Sequence, residues 1–234
     1  QVPNYIPDVA PDNGKRISVV GAGAAGLTCA HYLARLGYQI DIYEKNSESA
    51  GMLRWLTVTS RVPQSVLTRE ISNLLLPSIQ VYFDQSLGED TTIAQLRLQY
   101  DAIFLACGLG ERRIQPNDID HDFNLIHGLM FLDQFTHEPT IVREKIYTII
   151  GATYLATDIA KLAIQNGANK VYLIDEQAQL LAKSQAKRLN EMQELGIEIY
   201  SRIDPIAFSE LCRSSHKVIM AGLEQHRIDS ELRD

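Results

Sequence analysis

The feature that most constrains this chain is a glycine turn set between a strand and a helix. Gly21-Ala-Gly23-Ala-Ala-Gly26 follows the apolar run 16–20 and opens an apolar stretch, 24–36, that Gly37 stops. Residues 39–43 then alternate apolar and polar, which predicts a second strand. Strand, glycine turn, helix and strand make a βαβ unit, hence a parallel sheet in an α/β fold. The turn matches G-x-G-x-x-G, and its residue types suit a dinucleotide. Gly21 permits the tight turn, Gly23 lets backbone approach a pyrophosphate, and Gly26 lets helix pack on strand. The free N–H groups and dipole at Ala24 and Ala25 would then face the anion. Glu44 closes the second strand at the spacing expected for a ribose-binding carboxylate, roughly 20 residues on.

Composition narrows the classes of function. The 234 residues carry 22 Lys and Arg against 29 Asp and Glu, a net charge of −7. Nucleic-acid binding wants a basic face, so it is excluded as the main activity. No apolar run approaches the roughly 20 residues of a membrane span. Cys29, Cys107 and Cys212 are far apart, which excludes a local dithiol motif or iron–sulfur ligand set and fits a reducing, cytoplasmic compartment. Residues 1–14 lack the apolar core of a signal peptide, and the first residue is Gln1, not Met. A chain that is processed, cropped or numbered from its first ordered residue is therefore expected.

Along the chain, residues 1–14, with Pro3, Pro7 and Pro11, read as an extended lead-in. Helices are expected over 65–76, from a Ser65 cap, and over 91–99, with strands at 79–83 and 101–106. Residues 45–64 and 109–125 read as irregular, and 125–135 as a helix. A second βαβ unit follows: strand 146–150, a turn at Gly151, helix 154–165 and strand 170–174. Helix 185–195 and short strands at 197–200 and 217–220 complete the expected pattern. Two Rossmann-like units are predicted: a first domain over 15–144, a second over 145–222, and a tail over 223–234.

Several stretches resemble the pyridine-nucleotide-dependent flavoprotein family that includes the glutamate synthase small subunit and the flavin domains of dihydropyrimidine dehydrogenase. Residues 43–54 resemble that family's second flavin-contacting segment. Gly51, Leu53 and Arg54 match a Gly-Gly-x-Leu-Arg run, with Ala50 in place of its first glycine. The strand ending Ala106-Cys107-Gly108 resembles one ending Ala-Thr-Gly over the cofactor, and Leu87-Gly-Glu-Asp90 resembles a segment that meets the adenine. Residues 5–15 resemble the connector after an iron–sulfur domain. The resemblance implies FAD bound by Gly21, Gly23, Ala24, Ala25, Gly26, Glu44, Lys45, Gly51, Met52, Leu53, Arg54, Leu87, Ala106 and Gly108. It also implies hydride transfer from a nicotinamide cofactor and a protein partner that completes the flavin site or carries iron–sulfur clusters. Trp55-Leu-Thr-Val58 departs from the family's aromatic-Gly-Ile-Pro continuation.

In the second unit the resemblance makes Gly151-Ala-Thr153-Tyr-Leu-Ala156-Thr-Asp158 a nicotinamide-dinucleotide turn, normally Gly-x-Gly-x-x-Ala-x-Asp. Thr153 stands at the middle glycine and puts a Cβ and a hydroxyl where a phosphate approaches. Asp175-Glu176 ends the next strand, where NADPH users of the family place arginines, so NAD is expected with Gly151 and Asp175 as its contacts. Asp158 is also explained by the helix dipole alone.

No histidine pair has metal-ligand spacing and no G-x-S-x-G occurs, so neither a metal site nor hydrolysis is expected. Cys107 reads as a small packing residue. The family's returning flavin segment has no counterpart after Gly222. Three readings stand open: an FAD-dependent oxidoreductase subunit, a non-catalytic dinucleotide-binding or structural module, and a fragment of a larger flavoenzyme.

Overall fold

The computed structural model describes residues 7–108, 124–175, 186–201 and 203–221. The chain divides into two compact units, residues 1–110 and 111–234.

The first unit is built on four parallel strands: β1 (Arg16–Val20), β2 (Gln39–Tyr43), β3 (Ile79–Tyr82) and β4 (Ala102–Leu105), in the order β3-β2-β1-β4. Helix α1 (Ala24–Arg35) crosses from β1 to β2. Its buried side chains, Leu27, Ala30 and Ala34, pack with Ile17, Val19, Ile40 and Ile42 of β1 and β2. His31 is buried and its Nδ1 donates to the Leu74 carbonyl at 3.1 Å. The stretch expected to be irregular holds a 3-10 turn at Gly51–Leu53 and a short helix, α2 (Arg54–Val58). Helix α3 (Gln64–Leu74) starts one residue earlier than expected. Pro63, not Ser65, stands at its cap, because its fixed φ of −60° sets up the first turn without a side-chain bond. Helix α4 (Ile93–Gln99) is started by a capping box of Thr92 and Gln95. It buries Leu96 against Val20 and Tyr100, beside Tyr43, Leu87 and Ile103.

Asp41 of β2 and Tyr100, both buried, are paired with each other. Tyr100 donates to Asp41 at 2.7 Å, Arg16 pairs with Asp41 at 2.5 Å, and Arg16 lies 5.0 Å from the Tyr100 ring centre. Burial and the bonds to Tyr43 and Asp41 push the Tyr100 phenol far above its usual range.

The second unit has five parallel strands: β5 (Leu125–His127), β6 (Ile146–Ile150), β7 (Lys170–Ile174), β8 (Glu198–Tyr200) and β9 (Lys217–Met220), ordered β5-β9-β6-β7-β8. Four helices accompany them: α5 (Gly128–His137), α6 (Tyr154–Gln165), α7 (Ala186–Glu194) and α8 (Pro205–Ser214). Residues 125–135, expected as one helix, are instead strand β5 followed by α5. Leu125, Ile126 and His127 pair with Val218, Ile219 and Met220 of β9, and His127 caps α5 by accepting from the Leu129 N–H. These elements belong to the second sheet, so the second unit begins earlier than residue 145. Helix α8 was not expected. Its N-terminus carries readable signals, since Pro205 follows Asp204 and the Asp204 carboxylate accepts from the N–H groups of Ile206 and Ala207. It buries Phe208 and Cys212 with Ile150, Ile174 and Val218.

Among the described residues no helix is long and apolar enough to cross a membrane. Residues 109–123 of the expected loop 109–125, Glu176 and the tail 223–234 lie outside the described residues.

Candidate functional site

In the first unit the glycine turn is forced by its surroundings. Gly21 has φ of +105°, a region that side chains resist, and a Cβ there would lie 2.4 Å from the Ala106 carbonyl oxygen. A Cβ on Gly26 would lie 1.8 Å from the Gly21 carbonyl oxygen, so the helix can approach the turn only without one. Gly23 differs: a Cβ added there meets nothing within 4 Å. Packing does not require this glycine. The space over it is open, no side chain caps α1, and Ala24 and Ala25 stand exposed at the helix start. Open space, uncapped helical N–H groups and small side chains are what an anion held by backbone needs.

The flanking segments close around this turn. The Ala50 N–H donates to the Ala22 carbonyl at 2.8 Å, and a Cβ on Gly51 would lie 3.1 Å from the Gly23 Cα. Ala50 is fully buried with φ of +87°, a left-handed conformation that costs roughly 1 kcal/mol for a residue with a Cβ. The glycine of the resembled pattern is thus absent in type but its conformation is kept. Glu44 is 4% exposed. One carboxylate oxygen accepts from the Ala22 N–H at 2.7 Å; the other accepts from the N–H and side-chain amide of Asn46 at 3.0 and 2.8 Å. The oxygen bonded to Ala22 retains acceptor capacity for a hydroxyl, while the other is filled by Asn46. Asn46, missed from sequence, therefore orients the candidate ribose carboxylate.

The other expected residues fall into two groups. Met52 is 59% exposed, and the Arg54 guanidinium lies 5.2 Å from the Trp55 ring centre in the half-buried segment that follows Gly51. Lys45 is exposed after β2, Ala106 backs the turn, and Gly108 is exposed beyond it. Leu87 packs under α4 with Val20 and Tyr100, so its side chain serves the core.

The second unit repeats the same backbone scheme. Gly21 N–H to Tyr43 carbonyl, Ala106 N–H to Val20 carbonyl and Glu44 N–H to Tyr82 carbonyl have counterparts: Gly151 to Ile174, Ala221 to Ile150 and Asp175 to Tyr200. Gly151 keeps a positive φ of +120°, and Asp175 is 1% exposed at the position of Glu44. The departure is at Thr153. Its hydroxyl accepts from the Ala156 N–H at 3.2 Å and donates to the Ala221 carbonyl. Tyr154 and Leu155 replace the small pair Ala24 and Ala25. Arg188 of α7 reaches the same turn, donating to the Ala152 carbonyl at 3.0 Å and to the Thr157 hydroxyl at 2.8 Å, 4.2 Å from the Tyr154 ring centre. Arg188 was not singled out from sequence, because nothing in its own neighbourhood marks it.

Cys29, Cys107 and Cys212 are free thiols. Burial pushes the Cys212 thiol up to about 12, which leaves it unreactive at neutral pH. No group of metal-ligand residues occurs among the described residues.

Comparison with known proteins agrees with this fold. The family model for pyridine nucleotide-disulphide oxidoreductase matches residues 15–222, and the chain belongs to that family. The family binds FAD and NAD(P) and comprises pyridine-nucleotide-dependent flavin oxidoreductases. The chain is 29% identical over 201 residues to the NADP(+)-dependent formate dehydrogenase subunit beta of Moorella thermoacetica, covering 85% of this chain and 28% of that protein. It is 26% identical over 230 residues to the NAD-dependent dihydropyrimidine dehydrogenase subunit PreT of Salmonella typhimurium, covering 92% of this chain and 55% of that protein. The chain thus spans between about a quarter and half the length of these curated relatives. Histamine dehydrogenase from Rhizobium sp. 4-9 shares the fold, with a TM-score of 0.64, 18% identity, and coverage of 93% of this chain and 37% of that one.

Proposed function

We propose that this member of the family is an FAD-binding redox subunit that takes electrons from NADH in preference to NADPH and passes them to a protein partner. The observation that carries the reading is Gly23, where the structure leaves open space over an uncapped helix start. A bound FAD would supply an acceptor of electron pairs that can release electrons singly. The chain's own residues would do the holding. Backbone around Gly21, Gly23, Ala24, Ala25 and Gly26 would donate to the pyrophosphate, and the Glu44 carboxylate, fixed by Ala22 and Asn46, would accept from the ribose. Lys45, Gly51, Met52, Leu53, Arg54, Leu87, Ala106 and Gly108 would line the rest by backbone or side chain.

The preference for NADH rests on Asp175, which with Gly151 would meet the second dinucleotide. A carboxylate accepts from a ribose diol and repels a 2′-phosphate. The relatives named above include both an NADP(+)- and an NAD-dependent enzyme, so the chain's own residues must decide. A partner is supported by those relatives being named as subunits, and a cytoplasmic setting by the three free thiols.

The test is to purify the full-length protein, release its cofactor and identify it by absorbance, then compare NADH with NADPH as reductant. Protein that carries no flavin and takes none up overturns the reading. A second reading, a dinucleotide-binding module without turnover, is favoured by one observation, the hydroxyl of Thr153 inside the second turn.

A further inference from the structure

We infer that Thr153 is a built-in competitor for the nicotinamide dinucleotide: its hydroxyl takes, from within the protein, the helix N–H that a pyrophosphate would use, and so sets the affinity of the second unit. The inference rests on the reading of that unit as the NADH-binding one. The hydroxyl is bonded on both sides, accepting from Ala156 at the start of α6 and donating to the Ala221 carbonyl at the end of β9. A dinucleotide that lies on α6 must break the first bond, and the Thr153 side chain cannot swing away without losing the second.

Shifting the whole turn is the other way to make room, and the structure opposes it. The Gly151 N–H is tied to Ile174, and Arg188 ties Ala152 and Thr157 to α7. A second bond between the same helices, Lys161 to Glu191 at 2.6 Å, holds α7 against α6. The first unit keeps the bond from the Gly21 N–H to Tyr43 but has nothing in place of the Thr153 hydroxyl, since Gly23 carries no side chain and α1 has no side-chain cap. Thr153 is therefore a positioning residue that closes the site, and its removal opens it.

The experiment is a calorimetric titration of NADH, with NADPH in a parallel arm, into the flavin-loaded full-length protein and three variants. Thr153→Gly removes hydroxyl and Cβ, Thr153→Ala removes the hydroxyl alone, and Thr153→Ser keeps the hydroxyl. Expected are at least tenfold tighter NADH binding in the glycine variant, a smaller gain in the alanine variant and wild-type affinity in the serine variant. Flavin content should be the same in all, and the serine variant guards against a general loss of folding. Wild-type protein that binds NADH as tightly as the glycine variant overturns the inference, as does a serine variant that gains as much as glycine. If no variant binds either nicotinamide dinucleotide while flavin is retained, the reading of the second unit falls and the inference falls with it.

Discussion

The two glycine turns of this chain share a backbone and differ in a side chain. Both close with the same three hydrogen bonds, both carry a positive-φ glycine first, and both end in a buried carboxylate on the next strand. At the third position one has Gly23, with space beyond it, and the other has Thr153, with its hydroxyl spent on the protein. The difference teaches that packing does not fix every residue of the motif. The first and last glycines hold helix to strand, and packing makes no demand on the middle one.

The strongest way to break the comparison is at the packing position. Gly26→Ala drives a methyl into the Gly21 carbonyl and should cost about 3 kcal/mol in urea unfolding, with loss of flavin. Ala156→Gly, the same position in the second unit, should cost only about 1 kcal/mol, the helix penalty of glycine. Equal costs would mean that Gly26 is no more tightly packed than Ala156.

The next effect falls on the ligand rather than the fold. Gly23→Thr copies the second turn into the first. Loss of one charge-assisted contact, about 2–3 kcal/mol, should weaken FAD roughly a hundredfold while thermal stability stays level or rises. The added Cβ meets nothing, and the new hydroxyl can cap α1. An equilibrium flavin titration and a melting curve separate the two outcomes, and unchanged flavin affinity would remove Gly23 from the site.

A smaller change tests the cap. Thr153→Val should lower the stability of the second unit by about 1 kcal/mol and leave flavin untouched. The smallest effect is in pH. Lys161 holds the Glu191 carboxyl below its ordinary value of 4.5. A lowered folded-state value stabilises above the unfolded value and is lost as pH falls through the folded one. Glu191→Gln should therefore match wild type in strong acid and be slightly less stable at neutral pH, and a difference that grows in acid would contradict the pairing.

Much of the fold was legible because the core elements announce themselves locally. Strand β1, the glycine turn and β2 need only apolar periodicity and glycine placement. Residues 125–135 were not legible, since a three-residue strand followed by an apolar helix reads as one run, and only its distant partner β9 decides. Helix α8 was legible and overlooked, with Asp204-Pro205 at its start. In the candidate site, Glu44 could be named from spacing and Thr153 from the family resemblance, but their partners could not. Asn46 lies two residues from Glu44 with no motif to mark it. Ala221 and Arg188 reach Thr153's turn from chain segments whose positions only the folded backbone sets.

The uncapped start of α1 has a consequence for hydrogen exchange. No side-chain cap bonds to the amides of its first turn, so a bound anion would be what protects them. The Ala156 amide at the start of α6 already has the Thr153 hydroxyl. Exchange at the two helix starts should therefore read differently in the same sample: at α1 it reports whether the ligand is there, and at α6 it reports whether the protein's own hydroxyl has let go.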